Sequence, residues 1–206
     1  MKLLIIMLMT KCLFSDTYPI YTVVELSTIA KNNYITKNRI DDYKDSLKKM
    51  QNKSDTYKLQ RTNFYFNQYL PEYDQVMQKE EDFWSTPKEF LRSGYGDCED
   101  YVIIKYFSLL TLGFDEHKLF LTVVKEKFQG SSHMVLSYFE QENQSPKILD
   151  NLSIKVLSLE KRVDLEPVCF INSTGVYKLS AEYKLRKIAD SYKKFNLLLK
   201  KIEKNL

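Results

Sequence analysis

The chain has 206 residues, with few cysteines and histidines and no long apolar segment. These shortages exclude particular classes of protein. It has no internal run of 18 apolar residues, so no membrane-spanning helix is predicted. Cysteine occurs only three times, which is too few for a disulfide-stabilised scaffold. Neither an internal repeat nor a low-complexity linker is found. Because 44% of the residues are hydrophobic, the chain can form a single domain with a substantial core.

Residues 1–15 are typical of a short secretory signal. One lysine follows the initial methionine, and an apolar run of about eight residues comes next. The alternative is a buried N-terminal strand. Export is the favoured prediction, and Cys12 would then be lost with the signal. Only Cys98 and Cys169 would remain in the mature protein.

The segment from Thr22 to about Leu70 is predicted to be helical, with lysine and glutamate on its outer faces. Apolar residues recur there at helical spacing, among them Ile40, Tyr43, Leu47 and Met50. A third helix in this part is expected to have Asp55 or Thr56 as its N-cap and to end before Pro71. Further on, Thr86-Pro87-Lys88-Glu89 forms a capping box and predicts a short helix.

The stretch Gly94–Asp100 joins a glycine turn to the start of a second predicted helix. Residues 101–112 are apolar on nearly every face, so this helix is expected to be buried, and Gly113 suits its left-handed end. With Asp97 as N-cap, Cys98 lies in the first turn, where the helix dipole and unpaired N–H groups favour a thiolate. Cys98 is therefore a candidate nucleophile, although a lone cysteine is more often a small buried side chain.

Three carboxylates surround this cysteine, namely Asp97, Glu99 and Asp100. Negative charges near a thiol raise its pKa, which opposes the effect of the helix dipole. A thiolate at this position therefore needs a nearby cation, either a basic side chain or a metal ion.

After Gly113 the pattern indicates strands at residues 119–124, 133–139, 147–150 and 168–171. A hairpin turn centred near residue 141 or 142 would place His133 opposite Asp150. A carboxylate on one ring nitrogen fixes the tautomer of a histidine and leaves the other nitrogen to face a nucleophile. Together with Cys98 this is the nucleophile, base and orienter arrangement of cysteine hydrolases. The other histidine, His117, is expected in an exposed loop, and the alternative for His133 is a strand-end residue without a chemical role.

The order Cys98, His133, Asp150, with the cysteine starting a helix and the other two on successive strands, resembles the transglutaminase/papain-like superfamily. More closely, the chain resembles the bacterial transglutaminase-like cysteine proteinases. The resemblance covers roughly residues 35–178, and its main segments are 83–87, 96–101, 105–106, 133–136, 149–152 and 162–167 running on to Asn172.

This resemblance implies an α+β fold of the papain/transglutaminase-like cysteine protease type, with a helical N-terminal part and an antiparallel sheet packed on a central helix. It places the catalytic residues at Cys98, His133 and Asp150. It also implies Ca²⁺ as cofactor, bound by Asp97 and Glu99, with Asp100 as a further candidate ligand. Such a cation would offset the three carboxylates, since calcium prefers hard oxygen ligands.

By the same resemblance, the expected function is calcium-dependent cleavage of the N-terminal region of a large cell-surface adhesin, which releases the adhesin and promotes biofilm dispersal. The expected location is the periplasm. The expected partner besides the adhesin is an inner-membrane cyclic-di-GMP receptor that sequesters the protease, and no nucleic-acid partner is expected. The alternatives are a transglutaminase-type acyl transferase and an inactive calcium-binding interaction module.

The last part of the chain, residues 181–206, follows the protease domain predicted for residues 16–180. It contains eight lysine and arginine residues against three aspartate and glutamate residues. Apolar residues alternate spacings of four and three, which predicts a basic amphipathic helix: Ala181, Leu185, Ile188, Tyr192, Phe195, Leu199, Ile202 and Leu206. Such a helix could cover its own domain, form an intermolecular seam, or contact an anionic membrane.

Overall fold

The computed structural model describes residues 19, 21–71, 83–128 and 130–204. The helices in these ranges are α1 (Val23–Asn32), α2 (Tyr34–Met50), α3 (Asp55–Phe66), α4 (Pro87–Ser93), α5 (Cys98–Thr111) and α6 (Lys193–Lys204). The strands are β1 (Leu70–Pro71), β2 (Tyr95–Gly96), β3 (Leu119–Glu126), β4 (Ser132–Tyr138), β5 (Lys147–Asp150), β6 (Ser153–Ser158), β7 (Leu165–Asn172), β8 (Gly175–Leu179) and β9 (Leu185–Ala189). The signal sequence predicted for residues 1–15 lies outside the described residues. In the described ranges, no helix combines the length and apolar character needed to cross a membrane.

The helical N-terminal part is confirmed as α1, α2 and α3. The predicted N-cap of the third helix was wrong by one residue, because Ser54 holds that position and accepts a hydrogen bond from the N–H of Tyr57. A serine hydroxyl at this position satisfies a backbone donor that has no partner inside the helix. The helix ends at Phe66, well before Pro71.

The turn that leads into the central helix is built as the sequence predicts. Thr86 and Glu89 form the reciprocal capping box at the start of α4, which ends at Gly94 in a left-handed conformation with φ +81°. The central helix α5 then begins at Cys98, and Gly113 follows its end with φ +91°. These positive φ angles favour glycine, which has no Cβ.

Seven of the strands form one antiparallel sheet in the order β6-β5-β4-β3-β7-β8-β9, against which α5 packs. Strand β3 is central, and its alternate residues join two different cores. Leu119 and Leu121 pack with the helices, whereas Phe120 and Val124 belong to a second cluster on the other face. This burial on both faces explains why the strand is a nearly continuous apolar run.

The predicted helix over residues 181–206 is wrong in its first half. Tyr183 has φ +58°, which no right-handed helix allows, and the N–H of Ser180 bonds to the carbonyl of Lys184 at 3.0 Å to close a hairpin. The residues that follow form β9, the edge strand paired with β8. Leu185 packs on the second core instead of lying on a helical seam. The alternating spacing of four and three therefore did not come from one helix. It arose by coincidence from a strand followed by a short helix.

The second half of this segment forms α6, which covers its own domain. Phe195, Leu198 and Ile202 are buried in the main core, and the Phe195 ring meets Tyr106 of α5 edge-on at 5.7 Å. Lys201 forms a 2.8 Å ion pair with Glu89 of α4. The domain therefore continues past residue 180, and the apolar side of α6 is used within the molecule.

Candidate active site

His133 and Asp150 lie at the same end of the sheet, where β4 begins and β5 ends. The register differs from the predicted one by two residues, since Leu136 pairs with Leu149 and not with Lys147. The two side chains are therefore diagonal neighbours, a separation that long side chains can span. His133 Nε2 lies 2.8 Å from Asp150 Oδ1. The predicted contact is confirmed, although the predicted register is not.

The Asp150 carboxylate is buried and accepts three hydrogen bonds. Its Oδ1 accepts from His133 and from the N–H of Leu152 at 2.9 Å, and its Oδ2 accepts from Arg162 Nη2 at 2.7 Å. Burial alone would raise the pKa of this carboxyl, but the bonds from His133, Leu152 and Arg162 outweigh it and lower the pKa to about 2. Asp150 is therefore an anion at neutral pH.

This charge fixes the tautomer of His133. An ionised carboxylate only accepts hydrogen bonds, so Nε2 of His133 carries a proton when it bonds to Asp150. Nδ1 is then the ring nitrogen that can take and return a proton. The imidazole is only 7% exposed, so its orientation is held by the surrounding packing as well as by the hydrogen bond.

Arg162 is the site residue that the sequence analysis missed. Its guanidinium bridges Asp150 and Asp164, with Nη2 at 2.7 Å from one carboxylate and 2.6 Å from the other. Both carboxylates raise the pKa of this guanidinium against the opposing effect of burial. The segment from Arg162 to Pro167 carried part of the family resemblance, but nothing in its spacing predicts that its arginine reaches across to β5.

Cys98 is half-buried at the first position of α5. Its Sγ donates a hydrogen bond to Glu99 Oε2 at 3.0 Å, and it lies near enough to the backbone N–H of Met134 for that donor to lower the pKa of the thiol. The thiol therefore touches β4 at the residue that follows His133. Burial raises its pKa most, and the carboxylates of Glu99 and Asp97 raise it further. In this arrangement the thiol is held in its protonated form.

The three acidic residues around Cys98 differ in what they contact. Asp97 is at the N-cap of α5 in an extended conformation, but its side chain makes no capping hydrogen bond. Glu99 accepts a hydrogen bond from the Cys98 thiol. Asp100 is buried, and its two oxygens accept bonds from the N–H and hydroxyl of Ser85 at 2.7 and 3.0 Å. Among the described residues, no three histidine, cysteine, aspartate or glutamate side chains are arranged to hold a metal ion.

Two further predictions, for His117 and Cys169, are confirmed. His117 is exposed and lies in a short turn before β3. Cys169 lies within β7 and is partly buried. Trp84 packs in the main core, where its ring stacks on Tyr192 at 5.9 Å.

Comparison with known proteins identifies the family. The profile of the bacterial transglutaminase-like cysteine proteinases matches residues 32–163, which include the thiol, the imidazole and the carboxylate described above. The chain belongs to this family. A comparison with curated protein sequences gives no match.

Solved structures of one bacterial protein share the fold over most of this chain. The calcium-bound structure of Legionella pneumophila LapG is 31% identical with a TM-score of 0.76, over 88% of this chain and 99% of that chain. The EGTA-treated structure of the same protein is 30% identical with a TM-score of 0.76, over 89% and 99%. A third LapG structure from this organism is 32% identical with a TM-score of 0.74, over 89% and 97%. The predicted α+β transglutaminase-like fold is thereby confirmed.

Proposed function

We propose that this cysteine proteinase is a calcium-dependent endopeptidase whose catalytic residues are Cys98, His133 and Asp150. The observation that carries the proposal is the buried bond between His133 and Asp150, at the point where the Cys98 thiol meets the backbone of β4. Cys98 acts as nucleophile, His133 as general acid and base, and Asp150 as the orienting anion. Arg162 keeps that anion in place.

In the first half of the reaction, His133 Nδ1 takes the thiol proton of Cys98, and the thiolate adds to the scissile carbonyl. The backbone N–H of Cys98, at the start of a helix, is a donor for the developing oxyanion. When the tetrahedral intermediate collapses, the C–N bond breaks, and the imidazolium gives its proton to the leaving amine. The acyl group remains on Cys98 as a thioester.

In the second half, His133 removes a proton from water, and the hydroxide attacks the thioester. The products are a new carboxyl terminus and the regenerated thiol. Asp150 stays ionised throughout, because its pKa of about 2 is too low for it to accept the imidazolium proton. Its contribution is orientation and charge stabilisation of imidazolium, as in other triads of this type.

Calcium is assigned to the acidic residues beside the nucleophile. Asp97 and Glu99 carry the hard oxygen donors that Ca²⁺ prefers and would hold the ion with further ligands from outside this pair. Bound there, the ion supplies positive charge that offsets the carboxylates next to the thiol. The existence of calcium-bound and EGTA-treated LapG structures supports calcium as the ion. Asp100 as a ligand stays a prediction, since both of its oxygens hold Ser85.

The substrate assigned by family resemblance is the N-terminal region of a large surface adhesin, cut at a small-residue Ala-Ala site in the periplasm. Cleavage there would release the adhesin and promote biofilm dispersal. The assigned regulator is an inner-membrane receptor that sequesters the protease when cyclic-di-GMP is high. The similarity to LapG along nearly its whole length supports the family resemblance on which this part of the proposal rests.

The test is to incubate the purified protein and its Cys98→Ala variant, with Ca²⁺, with surface proteins of the bacterium that encodes it. New N-termini are then mapped by mass spectrometry. The proposal expects one new terminus, after an alanine near the start of a very large surface protein, formed by the wild type alone. Termini scattered over unrelated proteins, or the same cut made by Cys98→Ala, would contradict it.

The same experiment separates the two alternatives. A transglutaminase-type acyl transferase would pass the Cys98 acyl group to an amine, so products would be cross-linked with loss of ammonia instead of cut. An inactive calcium-binding module would leave all substrates intact. In that case Cys98 would also be inert toward iodoacetamide at neutral pH with calcium present.

A further inference from the structure

A lysine is completely buried beneath the active site. Lys105 lies on α5 with 0% exposure, and its Nζ donates hydrogen bonds to Asn63 Oδ1 at 2.8 Å and to Asn67 Oδ1 at 2.7 Å. Burial lowers the pKa of this ammonium to about 7, against the opposing effect of Asp150. Removing a charge from water is expensive, and an apolar side chain of similar size would fill the same space more cheaply.

The ammonium determines which way both asparagine amides point. In its charged form a lysine offers only donors, so it can then meet only the carbonyl oxygen of each amide. Their NH₂ groups must therefore face the opposite way, toward the connection between β5 and β6. Asn67 Nδ2 donates to the carbonyls of Asp150 at 2.8 Å and Ser153 at 3.0 Å, and Asn63 Nδ2 donates to Ser153 at 2.7 Å.

This chain of contacts connects the nucleophile's helix to the residue that orients the histidine. Lys105 follows Cys98 by seven residues, two helical turns, so both lie on the same side of α5. Through Asn67, the lysine holds the backbone carbonyl of Asp150, whose carboxylate holds His133. A helix and a sheet that carry different parts of one reaction need such a fixed connection, since a shift of about 1 Å can cost a hundredfold in rate.

We propose that Lys105 is a positioning residue for the proteinase reaction, acting through Asn67 to fix Asp150, and thereby His133, relative to Cys98. The proposal rests on the proposed function for its kinetic consequence, but its structural consequence can be measured without any substrate. The group that responds is the His133 ring, whose Nε2–H bonds to Asp150.

The test compares Lys105→Met with Asn67→Asp, both built in a His117→Gln background without a histidine tag, so that His133 is the only histidine. Lys105→Met fills the space but removes the donors. Asn67→Asp keeps an acceptor for the ammonium but removes the NH₂ group that bonds to the carbonyl of Asp150. If Lys105→Met does not fold, this second variant tests the connection from Lys105 to Asp150. Lys58→Met is the matched control, because Lys58 Nζ bonds to the carbonyl of Leu112 beyond the far end of α5, at 2.9 Å.

The first readout is the ring ¹⁵N and Nε2–H spectrum of His133. We expect both variants to unfold cooperatively yet to lose or shift the hydrogen-bonded Nε2–H signal, whereas Lys58→Met keeps it. The second readout is cleavage of a peptide with an internal Ala-Ala bond. There, kcat should fall about tenfold to a hundredfold with KM changed less than about twofold.

Folded variants with an unchanged His133 spectrum would overturn the proposal, whatever their activity. A lower kcat with an unchanged spectrum would overturn it as well, since the loss would then not pass through His133. If the wild type itself fails to cleave the peptide, the proposed function is in question, and the spectrum still decides the role of Lys105.

Discussion

Replacing Asp150 by asparagine should slow the reaction more than it destabilises the fold. Asparagine has a single side-chain oxygen, which cannot accept hydrogen bonds from all three donors around Asp150. In the wild type, Oδ1 accepts from His133 and Leu152, and Oδ2 accepts from Arg162. If the asparagine oxygen faces His133, its NH₂ group points at the guanidinium. If the oxygen faces Arg162, the NH₂ group points at His133 and forces the proton onto Nδ1, the nitrogen that must accept the proton of Cys98.

The expected loss in kcat is about 10²- to 10⁴-fold, the range between a misoriented base and a fully wrong tautomer. At 1.36 kcal/mol per tenfold change, this is roughly 3 to 5 kcal/mol of transition-state stabilisation. The free energy of unfolding should fall by about 1–3 kcal/mol, the cost of one unsatisfied buried donor. Asp164 also forms an ion pair with Arg162, and this remaining partner limits the damage to the fold.

The stability effect has a defined pH dependence. The pKa of the Asp150 carboxyl is about 2 in the folded protein against an ordinary 3.8. A group whose pKa is lowered on folding contributes stability that is complete above the unfolded value and disappears as the pH falls through the folded value. The difference of nearly two units corresponds to about 2 kcal/mol. The advantage of wild type over Asp150→Asn should therefore shrink between pH 4 and pH 2 in denaturant titrations.

Asp164→Asn is the matched control for this prediction. Asp164 also bonds to Arg162 but makes no contact with His133, and it is partly exposed. Peptide cleavage by this variant should stay within about threefold of the wild type, since it touches no reacting group. If Asp150→Asn cleaves at nearly the wild-type rate, or if Asp164→Asn loses as much activity, the assignment of Asp150 as orienter is refuted.

Three further predictions follow from the same geometry. Cys98→Ala should abolish cleavage without changing the melting temperature by more than a few degrees, whereas Cys169→Ala should retain activity because its thiol lies within β7. EGTA should stop cleavage, and Ca²⁺ should restore it better than Mg²⁺. Asp97→Ala combined with Glu99→Ala should abolish calcium binding in calorimetry. An unchanged cleavage rate in EGTA would refute the metal assignment. The unfolding free energy of wild type relative to Lys105→Met should increase between pH 7 and about 10.5, by at most about 1.4 kcal/mol per pH unit. The reason is that in this range the unfolded lysine still binds a proton that the folded lysine has released. If the difference in unfolding free energy does not change with pH, the lysine has its ordinary pKa.

The contact between His133 and Asp150 could be predicted from sequence because a hairpin restricts which residues can meet. His133 and Asp150 belong to adjacent strands, so only the position of the turn was unknown, and an error of two residues still left the side chains within reach. The helix start at Cys98 was equally accessible, since Gly94, Asp97 and the apolar run after it are local signals. Both predictions succeeded because the signals that determine these features lie close together in the sequence.

Arg162 and Lys105 could not be assigned in the same way. Their partners are distant in sequence, and each contact depends on how separately formed elements pack. Lys105 in particular sits in a run of apolar residues, where only the fold shows that Asn63 and Asn67 meet its ammonium. The error at β9 has another origin, because an edge strand with partly exposed side chains leaves no clear period of two.

The central claim is that the Cys98 thiol forms an acyl-enzyme that water hydrolyses. The most direct measurement is cleavage of an Ala-Ala peptide in H₂¹⁸O with calcium present, followed by mass spectrometry of products and of the protein stopped during turnover. The account predicts two fragments, at least one ¹⁸O atom in the new carboxyl terminus, and a transient mass on the peptide that contains Cys98. Cleavage by Cys98→Ala, or acyl transfer to an amine without ¹⁸O incorporation, would contradict it.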